Sequence, residues 1–265
     1  MGSLLRALSL LCAVALSCSA NAAGLRVVPL KLEMTAKGGA ATLELTNLTS
    51  DNIGVQVEAK AWAQANGADV YTDTKDLLFA PPIIAIPAGK TKTVRFRLRR
   101  GPSLEQELSY RIYVQQLSAA PDSQVGNAAM AGGVEVRLRL GIPLFVAAIK
   151  PQLPGFEARA IRLPDGHSAL RLKNPGGQHL KVAQVEVVDS AGSVVAEANL
   201  TDTQTNYLLP GSESTWPLHL PKLSDAVSLP AGRYSLRVKT DFYSPRGVAG
   251  FSGEGFATRS LEVAP

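Results

Sequence analysis

The sequence predicts an all-β protein of two immunoglobulin-like β-sandwich domains, and three observations carry that prediction. Apolar residues recur with a period of two in many short runs, each bounded by Gly, Pro, Asn or Asp. No stretch carries a convincing helical repeat of apolar residues. The strand pattern stops at Lys150-Pro151-Gln152-Leu153-Pro154-Gly155 and restarts beyond it. Two prolines stiffen that segment into a hinge.

The first unit is expected over residues 24–149. Leu25–Met34 opens it, with Val27, Val28, Leu30 and Leu32 among polar residues. Ala41–Asn47 places Leu43 and Leu45 on one face. Ile53–Trp62 alternates Ile53, Val55, Val57, Ala59 and Ala61 against Gln56, Glu58 and Lys60. Phe79-Ala80-Pro81-Pro82 is extended, since proline restricts the residue before it. Thr93–Arg99 sets Val94, Phe96 and Leu98 against Arg95, Arg97 and Arg99, and Ser109–Leu117 is a further strand. A loop of small residues, Ser118–Gly133, precedes the run Val134–Val146. About seven short strands with regular turns fit an immunoglobulin-like sandwich. After the hinge at 150–155, residues 156–265 repeat the pattern in Ala169–Lys173, Leu180–Val188, Tyr207–Leu209, Trp216–Leu220, Tyr234–Thr240 and Ala257–Val263.

Residues 1–23 read as a secretory signal peptide: Arg6, an apolar run from Ala7 to Leu16, then Ala20-Asn21-Ala22 as the cleavage motif. The run is too short to span a bilayer, so no membrane insertion is expected. Both cysteines, Cys12 and Cys18, lie in this segment. The exported chain of roughly 240 residues would hold no disulfide and no thiolate. The net charge of +5 is modest for this length and gives no argument for nucleic acid.

Enzyme signatures are missing. Ala88-Gly89-Lys90-Thr91 resembles the end of a phosphate loop, but the earlier glycine would have to fall at Ile84, so it reads as a turn. His167, His179 and His219 lack metal-ligand spacing and read as loop or surface residues. There is no G-x-S-x-G elbow. No catalytic residue, metal, nucleotide or other cofactor is expected.

Two stripes have two readings each. Arg95, Arg97 and Arg99 form either a solvated sheet face or a cationic patch for a carboxylate. Val134, Val136, Leu138, Leu140 and Ile142 share one face, opposite Glu135, Arg137 and Arg139. They either fill their own core or belong to an edge strand offered to another chain.

In their order and spacing, these fragments resemble the periplasmic chaperones of chaperone–usher pilus assembly, nearest the branch called archaic. The resemblance rests on Val28-Pro29-Leu30-Lys31-Leu32, Ala41–Asn47, Trp62, Ala80-Pro81-Pro82, Ile86-Pro87-Ala88-Gly89, Val94-Arg95, Glu107 with Tyr110-Arg111, and Val134–Val146. In the second half it rests on Arg171-Leu172-Lys173-Asn174, Tyr207–Gly211 and Trp216. The resemblance implies a boomerang of two sandwiches in the periplasm. It also implies a donor strand carrying Val134, Val136, Leu138, Leu140 and Ile142, lent to pilin subunits that are then passed to an outer-membrane usher. A cleft base would hold the subunit's terminal carboxylate. The better-known branch uses an arginine on the first strand and a lysine near the end of the donor strand, and these align with Pro29 and Pro143. Lys31, Arg95 and Arg111 are the candidates that remain. The alternative class is a secreted structural or adhesive β-sandwich, such as a pilus subunit or glycan-binding module.

Overall fold

The computed structural model describes residues 24–35, 39–99, 101, 103, 105–117, 137–152, 155–200, 206–220, 228–240 and 256–264. The signal segment, the Ser118–Gly133 loop, Val134 and Val136 lie outside them. Every regular element described is a strand.

The first sandwich is built from β1 (Leu25–Val28), β2 (Leu32–Met34), β3 (Ala40–Asn47), β4 (Ile53–Ala65), β5 (Ala68–Asp73), β6 (Leu77–Ala80), β7 (Ile83–Ile86), β8 (Thr91–Leu98), β9 (Leu108–Gln116) and β10 (Arg139–Val146). One sheet runs β1-β3-β8-β6; the facing sheet runs β2-β10-β9-β4-β5, with β7 also on β4. Leu43, Leu45, Val94 and Phe96 from the first sheet meet Val55, Ile112, Val114 and Leu144 from the second, all fully buried. Period-two alternation puts these residues on the inner faces.

Leu25–Met34, expected as one strand, is two. Pro29 has no N–H for a ladder, and the chain crosses here between the sheets: β1 pairs with β3, and β2 pairs in parallel with β10. Asn66-Gly67 closes the β4–β5 hairpin with φ of 53° and 77°. Such positive values suit a two-residue Asn-Gly turn.

The second sandwich comprises β11 (Glu157–Arg162), β12 (Ser168–Lys173), β13 (Leu180–Val188), β14 (Val194–Asn199), β15 (Tyr207–Leu208), β16 (Glu213–Pro217), β17 (Gly232–Thr240) and β18 (Phe256–Val263). Its sheets are β11-β12-β16 and β14-β13-β17-β18, with β15 on β13. Leu170, Leu172, Val182, Val185, Val187 and Leu236 fill its core. The strand expected at Trp216–Leu220 lies earlier, at Glu213–Pro217, with Ser214 and Trp216 turned inward.

The two sandwiches share one local device. Asn47 ends β3 and Asn174 follows β12, both fully buried. The Asn47 amide donates to Asp51 C=O and Ile86 C=O, while its oxygen accepts from Thr49. Asn174 donates to Gln178 C=O and Leu208 C=O and accepts from the Gly155 and Gly176 N–H groups. Each side chain satisfies backbone groups of a loop and of a strand end beside it.

Candidate functional site

β10 pairs with β9 along its whole length, Arg139 to Val146, but with β2 only from Leu144 to Val146. From Arg139 to Ile142, no described strand covers its outer edge. The hydrogen-bond phase decides which groups that edge presents. Gln116 N–H donates to Leu138 C=O at 2.9 Å, so Leu138, Leu140 and Ile142 spend their backbone groups on β9. Antiparallel pairs alternate in this way. Arg139 and Gly141 therefore turn N–H and C=O outward, and Pro143 turns its C=O toward the start of β2. A proline at this position removes no bond from the β9 ladder, which accounts for its place inside a strand.

Side chains divide the strand a second time. Ile142 is 2% exposed and sits in its own core. Leu138 and Leu140 are half-buried at the rim of that core. The apolar residues available at the open edge are thus Leu138 and Leu140. Ile142 could reach a partner only if its own sandwich opened.

The other face of this sheet meets the second sandwich. Trp62, Phe145, Tyr207 and Leu209 form a buried cluster between the two, with Tyr71 against it. The Gln64 side-chain amide donates to Tyr207 C=O at 2.8 Å and its oxygen accepts from Leu209 N–H at 2.9 Å. Next to this apolar row lies a basic one. Arg111 pairs in register with Pro143 on one side and Lys60 on the other. Lys60 is engaged by Asp73 and Glu58, and its bond to Asp73 raises the pKa of the ammonium and lowers that of the carboxyl.

Arg111 differs. It is 5% exposed, and its guanidinium carbon lies 4.9 Å from the Trp62 ring centroid. Gly141 leaves room for it, since a Cβ there would stand 3.1 Å from Arg111 Nε and 3.3 Å from Tyr113 Cε1. Among the described residues, no carboxylate lies within ion-pair distance of it. A buried cation without a counter-charge is costly. Stacking on indole offsets part of that cost, and an incoming anion would offset more. Beside it, Tyr71 donates to Asp69, and burial pushes its hydroxyl pKa well up.

The remaining candidates fall elsewhere. Lys31 is ion-paired with Glu33 at 2.8 Å and precedes the Leu32–Leu144 pair, at the margin of the basic row. Arg95 is exposed on β8, in the opposite sheet, on a face turned to solvent. With Arg97 and Arg99 it forms a solvated stripe. Sequence reasoning missed the role of Phe145 and read His179 as a loop or surface residue; His179 lies in the β12–β13 loop. From that loop it stacks on Phe145 between the domains, while His167 and His219 are exposed. The signal for Phe145 was present: Leu144-Phe145-Val146 breaks the alternation and marks a strand end covered on both faces.

The comparisons agree with this architecture. Residues 24–151 match the family model for the pili and flagellar-assembly chaperone, PapD N-terminal domain. No curated protein matches the sequence. Among solved structures, the chain is similar to one in the CsuC–CsuE chaperone–tip adhesion subunit pre-assembly complex of archaic chaperone–usher Csu pili from Acinetobacter baumannii. There it is 17% identical with a TM-score of 0.61, over 90% of this chain and 98% of that one. It is similar to a chain of the Salmonella enterica SafA pilin–SafB chaperone complex at 17% identity and TM-score 0.55, covering 84% and 93%. The E. coli chaperone DraB gives 16% identity and TM-score 0.51, covering 91% and 98%.

Fold and family model together define a two-sandwich, PapD-like architecture. Residues 24–151 belong to the PapD N-terminal domain family of pili and flagellar-assembly chaperones, and the chain as a whole shares the fold of solved chaperone–usher chaperones. That family is a class of periplasmic chaperones and not of enzymes.

Proposed function

We propose that residues 1–23 export this chain to the periplasm, where it captures pilin subunits on β10 and hands them to an outer-membrane usher. In this reading, 24–149 is the capturing domain, 150–155 the hinge and 156–265 the second wall of the cleft. The observation that carries it is the edge of β10, uncovered from Arg139 to Ile142 beside half-buried Leu138 and Leu140. A subunit lacking its last strand exposes an apolar groove and unpaired edges, a hazard for aggregation. β10 offers both remedies: main-chain groups for the edges and apolar side chains for the groove. Val134 and Val136 would extend the contact, while Ile142 stays in its own core. The relatives solved with a tip adhesion subunit and with a pilin support this partner class.

The subunit's terminal carboxylate is assigned to Arg111. The cation that the better-known branch carries at the position of Pro143 is supplied here by the residue paired with Pro143 on β9. A guanidinium fork holds both oxygens of a carboxylate. The scheme consumes no nucleotide. The test is periplasmic co-expression with the pilin subunit of the same assembly system. The subunit is expected to accumulate and co-purify one-to-one with this chain, and to be degraded or aggregated without it. Equal recovery of soluble subunit in both cases would contradict the reading.

A further inference from the structure

The second domain grips β10 through one side chain. Phe145 is 2% exposed, and the ring lying on it is His179, with centroids 3.5 Å apart and planes at 9°. His179 is itself fixed. Glu107 Oε1 accepts from its main-chain N–H at 3.2 Å and lies 2.7 Å from Nδ1. Glu107 N–H donates to Gly177 C=O at 3.0 Å. The two side chains are only 13% and 7% exposed. Phe145 also packs against Trp62 at 5.9 Å, and Arg111 lies over Trp62. A continuous row of ring contacts, a stack parallel at His179–Phe145 and tilted by 37° at Phe145–Trp62, therefore runs from His179 to Arg111.

We propose that His179 is a positioning residue for subunit capture, acting through this stack to hold Arg111 where it meets the subunit's carboxylate. The proposal rests on the reading of β10 and Arg111 given above. An arginine side chain has many rotamers, and ordering it on binding weakens the complex; holding it in place beforehand removes that penalty. The stack does this only if its far end is rigid, and Glu107 fixes His179 at both its main-chain N–H and its imidazole.

The experiment measures dissociation of the purified chaperone–subunit complex, by exchange against excess tagged wild-type chaperone. In His179→Asn, the shorter amide can still donate to Glu107 but lays no ring on Phe145. Its complex is expected to dissociate about tenfold faster when Arg111 is present, and within about twofold of the parent in an Arg111→Met background. His179→Phe combined with Glu107→Gln restores a ring without orphaning a carboxylate, and should recover the wild-type rate. Equal acceleration in both backgrounds would mean a general structural defect and overturn the proposal, as would no acceleration in either. Leu138→Asp serves as the control on the underlying reading. If that variant captures subunit normally, the assignment of β10 fails; if it does not, and His179→Asn acts additively, only the role of His179 fails.

Discussion

Leu138→Asp is expected to abolish subunit capture while leaving the first sandwich folded. Leu138 is half-buried at the rim of the core, next to the uncovered edge of β10. A carboxylate there can turn to solvent in the free chain. In the complex it would be forced into an apolar groove, and losing a central apolar anchor typically costs about 2 kcal/mol or more, roughly thirtyfold in affinity. Ile142→Asp, on the same face of the same strand, should behave in the opposite way. Ile142 is enclosed in its own core, so the charge should unfold the domain before any subunit is met. Circular dichroism melts paired with co-purification separate the two outcomes. If Leu138→Asp melts out as Ile142→Asp does, the stripe is a core stripe throughout and lends nothing.

Arg111→Met should weaken capture strongly without destabilising the free protein. Removing one partner of a buried, hydrogen-bonded charge pair costs about 2 to 5 kcal/mol, so dissociation of the complex should accelerate at least roughly thirtyfold. Stability has the opposite sign. Arg111 is buried with no carboxylate among the described residues, so an apolar chain of similar length relieves a desolvation penalty. The melting temperature should stay level or rise. A subunit whose terminal carboxylate is amidated should bind the wild-type chaperone about as weakly as the native subunit binds Arg111→Met. Independent, additive losses would place the carboxylate elsewhere, with Lys31 the next base along the row.

Much of the fold was legible because alternation is a local property. Leu43 and Leu45, Val55 and Val57, and Val94 and Phe96 declare their inner faces in the sequence, and all are buried. β11 and β14 were harder: their inward positions include Ala158, Ala160, Ala196 and Ala198, which give little apolar contrast. The split between β1 and β2 depends on sheet pairing at long range, which the single apolar run at 25–34 does not reveal. In the site, the sequence nominated Lys31, Arg95 and Arg111 as equals. What separates them is which sheet each strand joins and what covers it, and neither is a local property. Pro143, a gap when read along one strand, becomes intelligible once β9 sets Arg111 directly beside it. His179 was legible as a loop residue, but the contact between domains that covers it was not, for the same reason.

The most direct test is amide hydrogen exchange along β10, free and in complex with subunit. The register leaves Arg139 and Gly141 with outward N–H groups, while Leu140 and Ile142 donate toward β9. In the free chaperone, the first two amides should exchange quickly and the second two slowly. On binding, the amides of Arg139 and Gly141 should become protected, with little change at Leu140 and Ile142, because an added strand bonds only the outward set. Capture of a subunit with Arg139 and Gly141 still exchanging freely would contradict the account.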